Sequence, residues 1–139
     1  MDNRLVYVEP KALDVVMNEL LEGLHAIKRK SKIQNWDIEH VLAALQEKRA
    51  GLYLCSVDGK YQGFLVLQRI QEPAYWNLHI WCAYNAGRID LIQVFFSHIK
   101  DLARALGCKN ITLKSTRRWS RRLKTYGFQE SYTEVYLEI

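Results

Sequence analysis

WNLHIWCAYNAGRIDLIQVFFSHIKDLARALGCKNITL, residues 76–113, is the stretch that decides the fold. It reads as strand (76–84), loop (85–88), helix (89–106) and strand (110–113). In the helix, Ile89, Ile92, Phe95, Phe96, Ile99, Leu102, Ala103 and Leu106 recur at spacings of three and four, which makes one apolar stripe. Gly107 follows where a left-handed cap residue sits. The first strand is almost continuously apolar, as in a strand covered on both faces. A helix between two strands of one sheet makes a right-handed crossover, so the two strands are expected to be parallel. A buried strand entering a short glycine-containing loop and then a helix is also a ligand-cradle geometry, because helix N-terminal amides can face an anion.

The 139 residues fit one domain, and they suffice to bury a core without metal or disulfide support. A hydrophobic fraction of 49% and a charged fraction of 25% are ordinary for a globular chain and argue against long disorder. No apolar run approaches the roughly 20 residues that span a bilayer. Met1-Asp2-Asn3-Arg4 lacks the layout of a signal peptide. Cys55, Cys82 and Cys108 are odd in number, widely spaced and set in apolar segments, which reads as buried free thiols in a reducing cytoplasm.

The net charge of +5 is local. Lys114, Arg117, Arg118, Arg121, Arg122 and Lys124 put six basic residues into 114–124, and the remainder holds 14 basic against 15 acidic residues.

Taken in order, residues 4–9 form a first strand that Pro10 ends. Residues 11–30 form a helix with Leu13, Val16, Met17, Leu20, Leu21, Leu24 and Ile27 on one face. A second helix, 36–48, has Asn35 or Asp37 as its N-cap and Gly51 after its end. Strand 52–57, an Asp58-Gly59 hairpin turn and strand 61–70 follow, with Gly63 marking a bulge or a close backbone approach. After the crossover unit comes a short helix, 117–126, closed by Gly127. Alternation of Val135, Leu137 and Ile139 with Glu134, Tyr136 and Glu138 predicts a C-terminal strand. The expected fold class is α/β, a mixed twisted sheet in the order β-α-α-β-β-β-α-β-α-β over 1–139.

That order, with these lengths, resembles the GCN5-related N-acetyltransferase (GNAT) superfamily, and especially its short, divergent members found in bacteriophages. The resemblance covers almost the whole chain. Asp58-Gly59-Lys60-Tyr61-Gln62-Gly63 looks like the family's hairpin pattern, "ALGCKNITLKS" like the end of its central helix and the next strand, and Thr125-Tyr126-Gly127-Phe128 like its terminal "k-x-G-F". The resemblance implies binding of acetyl-coenzyme A between two splayed parallel strands. Backbone at Trp81, Cys82 and Ala83 would orient the thioester. Tyr84, Asn85, Ala86, Gly87 and Arg88 would receive the pyrophosphate, with Ser115 and Arg117 beside them.

Three marker positions depart from the family pattern. Tyr84 stands at the R/Q position and Ile89 at the second small residue of R/Q-x-x-G-x-G/A. A β-branched side chain at the latter obstructs close phosphate approach. Asp90 adds a negative charge at the helix start. Leu123 stands where members often place a tyrosine general acid. Tyr126 is nearby, but three helical residues further on. Candidate catalytic groups are therefore His79, Glu39 and Tyr126. His79, among apolar neighbours, reads either as a base or as a hydrogen-bonded structural histidine. Glu39 reads either as a base or as a solvated acid favoured by the helix dipole. His79-x-x-Cys82 on a regular strand would face opposite sides and makes no metal pair.

The basic 117–124 helix supports three readings: a solvated cationic face, a coenzyme or other phosphate site, or a contact with nucleic acid or an acidic protein through Arg117, Arg118, Arg121 and Arg122. The first functional expectation is an acetyl-CoA-dependent N-acetyltransferase acting on an amine. The alternative is a GNAT-fold binding protein without catalysis.

Overall fold

The computed structural model describes residues 1–30, 35–114, 122–131 and 135–139. Strand β1 (Asn3–Val8) ends before Pro10, which opens a 3-10 helix, Pro10–Val16, leading into α1 (Met17–Lys30). The sequence predicts one continuous helix here. The adjacent β-branched Val15 and Val16 are poor α-formers, and the tighter winding carries the chain through them.

Helix α2 (Ile38–Gln46) begins at Asp37, whose backbone N–H donates to His40 Nδ1 at 2.7 Å. Lys48 (φ 60°), rather than Gly51, takes the left-handed turn after it. Gly51 is instead the first residue of β2 (Gly51–Val57). Asp58 (φ 52°) and Gly59 (φ 80°) then form the expected tight turn into β3 (Lys60–Gln71).

Strand β4 (Trp76–Asn85) precedes α3 (Leu91–Val94), α4 (Phe96–Ala105) and β5 (Cys108–Leu113). The predicted single helix over 89–106 is thus two, broken at Phe95 (φ −103°, ψ 12°). Phe95 is fully buried, and the run Val94-Phe95-Phe96 is weakly helical, so core packing wins over helix continuity.

The sheet runs β1-β2-β3-β4-β5, antiparallel except for the parallel β4–β5 pair. The 3-10 helix, α1 and α2 cover one face, with Leu20, Leu24, Val41, Leu45, Leu52, Phe64 and Cys82 in that core. Helices α3 and α4 cover the other, packing Leu91, Phe95 and Ile99 on Leu65, Leu67, Leu78 and Ile80. This is the expected mixed α/β order up to β5. Among the described residues the predicted last strand is not formed: residues 128–131 and 135–139 have no regular structure, and Val135, Tyr136, Leu137 and Ile139 are exposed. Alternation marks a strand only where a sheet edge pairs with it.

Two glycines permit close approaches around β4. A Cβ on Gly23 of α1 would meet the rings of Phe64 and Tyr84, so its absence lets the helix lie directly on the sheet. Gly63 adopts φ 138°, and a Cβ there would run into the Tyr84 carbonyl oxygen. Gly63→Ala combines that clash with a strained conformation. It is expected to cost about 1–3 kcal/mol for the backbone alone, read as a lowered urea midpoint with an unchanged slope.

Candidate functional site

The opening between β4 and β5 is built by register. Trp76 to Ile80 pair with β5, ending at Ile80–Leu113, while β4 continues five residues further, to Asn85. On its other side β4 stays paired with β3 down to Asn85–Gly63. Between Ile80–Leu67 and Cys82–Val66 one residue is extra: Trp81 is a bulge. Leu78 and Ile80 face the α3/α4 core, whereas Cys82 faces the α1/α2 core. The bulge therefore shifts the phase of the strand. It also brings His79 and Cys82 to the same face, which corrects the expectation that they oppose one another. Among the described residues no three His, Cys, Asp or Glu side chains come together as a metal set.

Trp81 meets Trp36 edge to face, with ring centroids 6.2 Å apart. Lys28 Nζ donates to the Trp36 carbonyl at 2.6 Å and lies 5.0 Å from the centre of its ring. An aromatic wall thus stands at one side of the opening, built from the end of α1 and the approach to α2.

The loop after β4 is held by the chain itself. Gln62, the residue left over opposite the Cys55–Ser56 step, turns its carbonyl to the amides of Ala86 (2.9 Å) and Gly87 (3.3 Å). Its side-chain oxygen fills the place where a Cβ on Gly87 would go. Asp90 caps α3: Oδ1 accepts from the amides of Ile92 (3.2 Å) and Gln93 (3.4 Å). Its Oδ2 accepts from Tyr126 Oη at 2.9 Å and pairs with the Arg122 guanidinium at 2.8 Å. Two amides of the expected phosphate cradle, Ala86 and Gly87, and two at the start of α3, Ile92 and Gln93, are therefore engaged within the protein. A pyrophosphate at this loop would meet the Asp90 carboxylate and these engaged amides. Asn85, Ala86, Gly87 and Arg88 are exposed, and Tyr84 packs its ring on Phe64.

The three candidate catalytic side chains lie apart. His79 Nδ1 is 2.9 Å from Thr112 Oγ1, across the parallel pair. Burial, and secondarily Lys114, lower its pKa, so the ring is neutral at pH 7. Glu39 is exposed in the first turn of α2, and no hydrogen bond joins it to His79 among the described residues. Tyr126 is committed to Asp90, with its ring against Phe96. Leu123 is buried. Burial pushes the thiols of Cys55 and Cys82 up to about 12, so neither is a nucleophile near neutral pH. Ser115, Arg117, Arg118 and Arg121 lie outside the described residues. Gln62 and Thr112 are not among the candidates the sequence offers. For Gln62 the signal was its place beside Gly63 in the hairpin.

No family model and no curated protein matches the chain. Solved structures do. The chain is similar to a ribosomal-protein-alanine N-acetyltransferase from Brucella melitensis biovar Abortus 2308, at 16% identity and TM-score 0.73, over 100% of both chains. It is similar to an aminoglycoside acetyltransferase from an uncultured soil metagenomic sample, in complex with sisomicin, at 11% identity and TM-score 0.69, over 99% of this chain and 96% of that one. A transcriptional regulator from Bacillus halodurans C-125 matches at 16% identity and TM-score 0.66, over 99% and 100%. The fold is that of the GNAT acetyltransferases, and fold by itself assigns no reaction.

Two measurements check the site chemistry. A thiol reagent at pH 8 is expected to modify Cys108, which is only partly buried, well before the buried Cys55 and Cys82. Because the folded state lowers the His79 pKa, its contribution to stability is complete above about pH 6.5 and is lost as pH falls through the lowered value. His79→Asn is expected to flatten that part of the stability–pH curve.

Proposed function

We propose that residues 1–139 act as one GNAT-like domain that transfers an acyl group from a pantetheine thioester, with acetyl-CoA as the reference donor, to an amine. The observation that supports this reading is the opening itself. Strand β4 outruns β5 after Ile80 and bulges at Trp81, which leaves the backbone of Trp81, Cys82 and Ala83 beside a gap between parallel strands. Backbone amides there would polarise the thioester carbonyl, a donor arrangement that favours charge developing on oxygen. The amine attacks the carbonyl carbon, the C–N bond forms and the C–S bond breaks. The sulfur leaves with the electron pair and takes up the proton that the amine gives up. His79 is the candidate to carry that proton: it shares the α1/α2 face with Trp81 and is neutral at pH 7. Glu39 and Tyr126 are secondary candidates, since one is solvated and the other is held by Asp90. Three free cysteines fit residence in a reducing cytoplasm, that of a host cell for a phage-encoded chain.

Incubation with acetyl-CoA and a panel of primary amines, followed by thiol release, tests the reaction. Turnover is expected, with an acid limb below pH 6.5 that His79→Gln removes, because lowering the pKa keeps the base unprotonated to lower pH. No thiol release, together with no calorimetric signal at millimolar acetyl-CoA from folded protein, rejects the reading.

A second reading, a binding protein without catalysis, is favoured by the self-occupied phosphate cradle. It would use the basic helix against a nucleic acid or an acidic protein surface. Arg122 is tied to Asp90, so the test variant changes Arg117, Arg118 and Arg121 to Ala together. Under this reading nucleic-acid affinity falls steeply with salt, and the triple variant flattens the slope.

A further inference from the structure

We propose that Asp90 is a built-in substitute for a donor phosphate, so that the β4/β5 opening takes its acyl donor by the uncharged pantetheine arm alone. This rests on the acyltransferase reading above and names its substrate class: thioesters recognised without their nucleotide.

The geometry carries the case. A phosphate seat needs amide donors, a nearby cation and room. The amide donors of Ile92 and Gln93 go to Asp90 Oδ1, and those of Ala86 and Gly87 go to the Gln62 carbonyl. Of the nearby cations, Arg122 is paired with Asp90 Oδ2, which Tyr126 also bonds, while Arg88 is exposed on the loop. Room is taken by the Gln62 side chain over Gly87. The Asp90 side chain is only 10% exposed, so it is part of the packed structure. A pyrophosphate arriving here would meet a carboxylate of its own sign and donors already in use. Farther up the strand, β4 beyond Ile80 has no β5 partner among the described residues. The opening thus keeps the part of the site that receives a neutral thioester arm and has closed the part that receives charge.

Calorimetry on the full chain with acetyl-CoA and with S-acetylpantetheine separates the possibilities. Wild type is expected to bind the two within about threefold of each other, where a phosphate-reading site would favour acetyl-CoA by tenfold or more. Asp90→Asn and Asp90→Ser both keep a helix-capping residue, so α3 remains capped. Each is expected to raise the acetyl-CoA to S-acetylpantetheine affinity ratio by about tenfold, since the carboxylate charge that opposes phosphate is removed while the helix cap is kept. Urea melts confirm that both variants are folded. The proposal is overturned if wild type prefers acetyl-CoA by tenfold or more, or if neither variant changes the ratio. If neither ligand binds wild type or variants, the acyltransferase reading fails and this inference with it. A strong acetyl-CoA preference defeats the inference and leaves that reading standing.

Discussion

Everything in this molecule that bears on function follows from one strand being asked to do two jobs. Through Ile80, β4 is a central strand, paired on both sides and covered on both faces. Beyond Ile80 it is paired, among the described residues, on the β3 side only. The strand keeps both cores filled because Trp81 is inserted as a bulge, so that Ile80 serves one core and Cys82 the other. Remove the extra residue and every side chain from Cys82 onward changes face. The bulge also holds backbone at the mouth of the gap, where a ladder of regular pairing would have closed it. Gly63 completes the arrangement by letting β3 approach the Tyr84 carbonyl, which pins the far end of β4 against the hairpin.

The loop that follows joins three segments distant in sequence. Gln62 from the hairpin holds Ala86 and Gly87; Asp90 caps α3; Tyr126 and Arg122 come back from the C-terminal part to Asp90. Phe128 stacks on Phe96, next to the Tyr126 ring, and ties the same part to α4. A region that could stay loose until a ligand ordered it is instead ordered by internal contacts. Buried donors demand acceptors, and a chain that supplies its own acceptor leaves a phosphate less to gain. The fold is shared with solved structures of acetyltransferases and of a transcriptional regulator.

Much of this was legible before any coordinates. The apolar β4 pattern, the helical stripe after it and the Asp58-Gly59 turn are periodicity and turn chemistry, and they gave the order of elements and the parallel pair. Gly63 announced a close approach because a glycine inside a strand rarely means anything else. The charge of Asp90 was visible as an obstacle to phosphate, but not its partners, since Tyr126 and Arg122 are more than thirty residues away and local spacing says nothing about such contacts. The Trp81 bulge had no local signal at all. It is a consequence of matching two cores across β3, as is the break at Phe95, where burial of one ring overrode helix continuity. The alternation at the C-terminus looked like a strand, yet a period of two says what a segment can do and not whether an edge is there to receive it.

The central claim is that the opening reads a thioester arm and that Asp90 keeps the phosphate cradle for itself. An amide-resolved NMR titration of the full chain, with S-acetylpantetheine and then with acetyl-CoA, tests it most directly. The account predicts that both ligands shift the Trp81, Cys82 and Ala83 amides while the Ile92 and Gln93 amides, held by Asp90, stay in place. Large shifts at Ile92 and Gln93 on addition of acetyl-CoA, absent with S-acetylpantetheine, would contradict it.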